Sequence, residues 1–512
     1  MLIVALIALL LVGDATSTTA ELPAVVLRAL DGERPRRSVV LRIGDDYAAE
    51  VERRPEGTVF WFEPGIHRLV EPIRPKDRQV FLSAGDAVLR GSRVLELKHD
   101  GDRLVATGQT QQGFRHAIDQ AADGAVRAGF PETVFVAGQP LRPVASKGEV
   151  AAGRFYFDYD RDHIYLAADV AGQSVEAGAS EAAFASDADG VVIANLTIEQ
   201  FNSPVQHGAI HGDQQWTVAH CLVRANYGVG IKLQDGGRIV RNDVAGNGQM
   251  GLGAVGADIL IAENHLHHNG GWAGIDPLWE GGGGKFAKTL NLVVRGNVSD
   301  SNIGPGLWTD IDNVAALYEN NYVIGNTNAG ILHEISYDAV IKNNVLAGNG
   351  TAHRGEGWLW GGQIQIQNSQ NVVVEGNRID MSGGLNGVGL IQQNRGDGPR
   401  GPYLTRGNTV RNNVFFARGK PGRTGGVADY REAGLLNGGN RFEDNDYLLP
   451  KGDWYWWGDL PEGSGFAGYQ RVSGQDKDSR WSDGPVTPLA THADPAREAG
   501  PRRANSPEKE AD

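Results

Sequence analysis

Short runs of alternating apolar and polar residues, each closed by an asparagine or a glycine, recur through the middle of the chain. The clearest unit is an asparagine, four residues and a second asparagine, led by V/I-rich alternation and followed by Gly-apolar. It stands at Asn242/Asn247, Asn264/Asn269, Asn297/Asn302, Asn321/Asn326 and Asn344/Asn349. Cys221/Asn226 reads as an earlier copy with a thiol in the first place, and Asn377 and Asn413 continue the series. The steps between first positions are 21, 22, 33, 24, 23, 33 and 36 residues. A basic period of 22 or 23 residues in β-type runs is too short for a helix pair. It fits one coil of a solenoid whose coils are stable only when stacked. The pattern predicts an all-β chain folded as a right-handed parallel β-helix. Stacked asparagines at a coil corner can hydrogen-bond to one another, because an amide both donates and accepts, and they tolerate left-handed corners.

The long steps predict excursions from the helix: residues 275–289 between Asn264 and Asn297, and two more after Asn349 and Asn377. Such insertions map to loops, often on the binding face. They surround two consecutive coils, Gly306–Asp310 and Gly330–Glu334, in which Asp310 and Glu334 occupy the same position four residues after the glycine. In a strand, side chains alternate between faces. Leu307, Ile311, Ile331 and Ile335 are then expected inside, with Trp308, Asp310, Asp312 and Glu334 outside. His333 falls on the inward side, as a hydrogen-bonded core histidine. At a strand spacing of ~4.8 Å the two carboxyls stand about 5 Å apart. That is near the separation in retaining glycosidases, and one of the two should hold a proton near neutral pH. Glu280 adds a third carboxylate, and Lys285 follows across four glycines. Trp279 and Trp308 are candidate platforms for a sugar ring. Gln365 and Gln367, with Gln363, Gln392 and Gln393, are candidate amides for a polyhydroxyl ligand.

The remaining chain divides around this helix. Residues 2–12 are continuously apolar, too few to span a bilayer, and suit a signal peptide over 1–20 cut after Ala20 or Ala15. No Lys or Arg precedes Arg28. A secreted or periplasmic protein follows from that reading. Residues 21–97 are expected to form a cap and first coils, 98–180 an inserted small β domain, 181–450 the grooved helix, 451–484 an aromatic segment packed on it, and 485–512 a disordered tail. In the insertion, 153–169 reads as a β-hairpin around Asp160-Arg161-Asp162. Its aromatics, like Trp454 to Trp457, are read as packing rather than as a sugar site.

The net charge, 48 − 62 = −14, with no basic run, argues against nucleic acid as a partner. A single cysteine, Cys221, excludes an internal disulfide. His265, His267 and His268 are expected not to form a metal site, being at a corner and without a matching group. No cofactor is expected, and the oligomeric state is not legible.

The motifs WEGGGGKF (279–286), GLWTD (306–310) and ILHEI (331–335) resemble those of the parallel β-helix β-xylosidases of glycoside hydrolase family 120, which have the form E-x-x-G-x-K-F, G-x-W-x-D and apolar-x-E. The resemblance covers about 275–345. It implies Asp310 as nucleophile, Glu334 as acid/base, and Glu280 assisting with Lys285 nearby. The link through Gly281–Gly284 and the T-D-I-D around Asp310 depart from the family's pattern. The chain is also similar to exported bacterial β-helix proteins that share W-T-D-I and E-I-S motifs. The expected function is a retaining, metal-independent glycoside hydrolase on neutral oligo- or polysaccharide. The alternatives are a lyase or epimerase on uronate polymers, with Arg295 and Lys285 as candidate cations, and a non-catalytic carbohydrate-binding protein.

Overall fold

The computed structural model describes residues 22–118, 120–458 and 465–483. The proposed signal peptide and the tail from 485 lie outside them. The chain forms a right-handed parallel β-helix. Each coil contributes three short strands. In the coil that carries Asp310 these are Leu307–Asp310, Val314–Glu319 and Tyr322–Ile324, and in the next Ile331–Glu334, Tyr337–Lys342 and Val345–Ala347. Each pairs in parallel with its counterpart one coil on.

Two asparagine ladders run along the corners. In one, the amide of Asn297 donates to Asn321, Asn321 to Asn344 and Asn344 to Asn377, at 2.9–3.0 Å. In the other, Asn269, Asn302, Asn326 and Asn349 are linked in the same way at 2.9–3.0 Å. Every rung is buried, so each amide must find its partners inside the protein. The ladder asparagines are not themselves left-handed. The residue just before each one is, for example Asn320 (φ 57°), Gly325 (φ 69°), Asn343 (φ 56°) and Gly348 (φ 68°). That frees the asparagine side chain to point inward while its neighbour makes the corner. Cys221 heads the first ladder, its backbone N–H donating to Asn242, and burial pushes its thiol up to about 12.

The core is a continuous file of aliphatic and aromatic side chains inside the coils. At one end the helix Tyr47–Glu52 closes it with Tyr47 and Val51. At the other, Trp454, Tyr455 and Trp457 are buried in it, and the strand Tyr455–Trp457 continues the stack. Another short helix, Ala24–Leu30, lies on the outside, packing Val26 and Ala29 against Trp61, Leu82 and Val192.

Strands Val80–Leu82 and Ala87–Arg90 pair directly with Val192–Ala194 and Thr197–Glu199, so the residues between Arg90 and Phe184 leave the helix and return without breaking the stack. They form two small sheets around a separate core of Leu104, Phe155, Phe157, Ile164 and Leu166. Arg154–Asp158 and His163–Ala167 are the antiparallel hairpin. This unit reaches back to the first long excursion. Ala128 packs with Tyr227, Ala273 and Ile275, and Trp279 rests against the same cluster.

Candidate active site

The register places four side chains in one outward column: Ala287, Asp310, Glu334 and Gln367. Two residues earlier on the same strands a second column holds Lys285, Trp308, Leu332 and Gln365. Between them, facing inward, are Phe286, Thr309, His333 and Ile366, all fully buried. The strand Gly282–Leu290 thereby carries Lys285 to the face of the carboxylates.

Lys285 is the hub. Its Nζ lies 2.8 Å from Glu280 Oε1 and 2.8 Å from Asp310 Oδ2, and donates to the Trp279 carbonyl at 3.1 Å. It also sits 3.8 Å above the Trp308 ring, a cation–π contact. Asp310 is thus held by one oxygen, while its Oδ1 is buried without a hydrogen-bond partner. Glu334 pairs with Arg395. Burial pushes the Glu334 carboxyl above its ordinary range and the Asp310 charge adds to this, while Arg395 and Lys285 pull the other way. Burial also raises Glu280, against the opposing pull of Lys285. The arrangement offers one carboxylate with a free oxygen beside one carboxyl inclined to keep its proton.

Several expected positions differ. The strands end at Asp310 and Glu334, and Ile311 (φ 64°), Asp312 (φ 57°) and Ile335 (φ 37°) turn left-handed, so alternation stops there. Ile311 and Ile335 pack outside the helix on Tyr337 and Tyr403, not in the coil interior. Asp312 accepts a hydrogen bond from Tyr403 Oη at 2.6 Å and does not line up with Asp310. Trp308 is not an open platform: it is buried on Ala329 and Leu332 with Lys285 on its face. Trp279 is half-buried against the inserted unit. Gln365 and Gln367 do face outward beside Glu334, but they are buried and joined to each other at 3.0 Å. Arg295 pairs with Glu319 at 3.0 Å on another strand ladder and lies in neither column.

His333 accepts the core role. Its Nδ1 lies 2.7 Å from Thr309 Oγ1, which in turn receives Tyr318 Oη at 3.1 Å, and burial lowers its pKa to about 3. Arg395 and Tyr403 were not legible from the repeat. Both sit on the excursion after Asn377, whose path no periodicity describes. The space between Glu280 and Asp310, where a cation would bridge two carboxylates, is taken by the Lys285 ammonium.

Residues 209–357 match the family described as right handed beta helix region. Among solved structures, the chain is similar to XylC, solved in complex with xylose, at 12% identity over 85% of this chain and 82% of that one, with a TM-score of 0.55. It is also similar to the A-module of the Azotobacter vinelandii mannuronan C-5 epimerase AlgE4, at 13% identity over 90% and 95% of the chains with a TM-score of 0.47. A third likeness is to the catalytic unit of the GH87 alpha-1,3-glucanase from Streptomyces thermodiastaticus strain HF3-3, at 11% identity over 84% and 72% with a TM-score of 0.36. At 12% identity the likeness to XylC is one of fold. No curated protein matches the chain. No helix among the described residues is long and apolar enough to cross a membrane.

Proposed function

We propose that this β-helix is a retaining glycoside hydrolase acting on neutral oligo- or polysaccharide, with β-xylosides as the first candidates. One observation carries the reading. Asp310 and Glu334 are register partners on adjacent strands, about 5 Å apart by strand spacing, which is the separation of a retaining pair. In the first step the Asp310 carboxylate bonds to the anomeric carbon. The glycosidic C–O bond breaks and the leaving oxygen takes the Glu334 proton. Arg395 then faces a Glu334 carboxylate and offsets its charge. In the second step Glu334 takes a proton from water, whose oxygen attacks the anomeric carbon and releases Asp310. Lys285 balances Asp310 and Glu280 throughout, and the raised Glu334 carboxyl suits a general acid. The apolar residues 2–12 support export to the periplasm or medium, which belongs to the same proposal. The test is turnover of aryl glycosides by wild type, Asp310→Asn and Glu334→Gln, with loss in both variants expected. Unchanged turnover in both would sink it.

A second reading has a specific observation behind it. Arg395 and Lys285 put two cations beside the carboxylate pair, and Lys232 stands in the same outward column two coils before Lys285. Such charges suit a uronate substrate of a lyase or epimerase. Ultraviolet absorbance of an unsaturated product would favour the lyase, and a release of reducing ends without it favours hydrolysis. Binding without turnover, unaltered by either variant, would mean a carbohydrate-binding protein.

A further inference from the structure

Strands Asp243–Ala245, His265–His267 and Val298–Asp300 are neighbours in the 13-stranded sheet, which is not the sheet that carries Asp310 and Glu334. Leu266 points into the core, so His265 and His267 both project outward, as residues two apart on a strand must. His268, not these two, takes the left-handed corner (φ 55°). The sequence led us to expect three corner histidines with no matching group. The fold instead places two of them on a strand between two aspartates.

In register, Asp243 stands beside His265, and Asp300 beside His267. The hydrogen bonds run along the opposite diagonals. His267 Nε2 lies 2.9 Å from Asp243 Oδ1, and His265 Nε2 lies 2.6 Å from Asp300 Oδ1. This crossing draws the two imidazoles together, stacked at 4.1 Å between ring centres and 24° between planes. One donor atom each from Asp243, His265 and His267 then lies within 4.8 Å of the others. His268 Nδ1 faces His267 Nδ1 at 2.9 Å and fixes that ring from behind.

We infer that Asp243, His265 and His267 bind one divalent transition-metal ion, of which Zn²⁺ is the best match, with Asp300 orienting His265. Two imidazoles and a carboxylate are a zinc-type donor set, and a carboxylate hydrogen-bonded to a ligand histidine sets its tautomer and orientation. Tetrahedral donors at ~2.0 Å from an ion lie roughly 3.3 Å apart. Side-chain rotation closes the remaining gap, because these four side chains keep 23–31% of their surface exposed. Water completes the coordination. The ion would join two successive coils, and the His265–Asp300 hydrogen bond ties them to a third across the 33-residue step that carries the first excursion. Its role is that of a staple, with no part in the chemistry at Asp310.

The test is calorimetric titration of the untagged, metal-stripped full chain with ZnCl₂, paralleled by the visible spectrum of the Co²⁺ form. Wild type is expected to take up one Zn²⁺ per chain with low-micromolar or tighter affinity. Its thermal midpoint should rise, and Co²⁺ should give the intense bands of a tetrahedral site. His267→Ala should abolish uptake, and Asp300→Asn should weaken it about ten- to a hundredfold. If His267→Ala does not fold, Asp243→Asn supplies the same comparison. No saturable uptake by wild type overturns the proposal, as does uptake of equal affinity in His267→Ala and Asp243→Asn.

Discussion

Asp310 and Glu334 stand side by side on adjacent parallel strands, yet each has its own cation: Lys285 for Asp310 and Arg395 for Glu334. The asymmetry differentiates two residues that the repeat made equivalent. Lys285 approaches along a neighbouring strand and is buried, shared with Glu280 and seated on Trp308. Arg395 arrives on a surface excursion and stays about one-third exposed. One carboxylate shares a buried ammonium and keeps one oxygen unpaired, and the other has a partly exposed counter-ion.

Because Arg395 pulls Glu334 down against burial and the Asp310 charge, removing it has a definite sign. If Glu334 is the general acid, kcat/KM falls as Glu334 loses its proton. Arg395→Gln is expected to move that alkaline limb to higher pH, read from the pH–rate profile on an aryl glycoside. An unmoved limb, or one moved lower, would remove Glu334 from the acid role.

Lys285→Met leaves Glu280 and Asp310 buried without their ammonium. Breaking a buried ion pair on one side costs about 3 kcal/mol. A corresponding fall in the urea midpoint is expected, partly recovered when Glu280→Gln is added, since the two sites share one interaction. Equal and additive losses would mean that the contact carries no coupling.

Asn321 receives both the backbone N–H and the side-chain amide of Asn297, and its own amide donates to Asn344 and to the Val294 carbonyl. Asn321→Ala strands all of these in the interior, at a cost of about 3 kcal/mol. Asn320→Gly, next door at the left-handed corner, should be within about 1 kcal/mol of wild type. Chemical denaturation of the two variants separates the ladder from the corner.

His333 remains neutral in the folded protein down to about pH 3, whereas the unfolded chain protonates it near 6.5. A depressed folded-state pKa contributes stability that is present above 6.5 and lost as pH falls towards 3. The stability advantage of wild type over His333→Gln should therefore shrink through that window, by up to about 1.4 kcal/mol per pH unit. A difference independent of pH would show that His333 does not titrate on unfolding.

The helix was legible because its repeat is written in residues with few alternatives. A buried asparagine that must satisfy the backbone and its own amide leaves a mark every coil, and Asn297, Asn321 and Asn344 fall where their spacing places them. Asp310 and Glu334 were legible for the same reason, since equal positions in consecutive coils become register partners. What failed was alternation beyond the strand end. Nothing local announces that Ile311 and Asp312 turn left-handed, and so Asp312 was aimed at the groove when Tyr403 holds it elsewhere. Arg395 and Tyr403 lie where the period breaks, and their places follow from tertiary packing alone. Trp308 looked like a platform because the sequence does not reveal that Lys285 covers it.

The most direct measurement is turnover of an aryl β-xyloside by Glu334→Gln with and without azide, beside Asp310→Asn. Loss of a general acid costs about 10²–10⁴-fold. Azide is expected to restore Glu334→Gln, yielding a glycosyl azide of retained configuration, while Asp310→Asn gives no such product. Wild-type turnover in both variants, or a glycosyl azide of inverted configuration from Glu334→Gln, would contradict it.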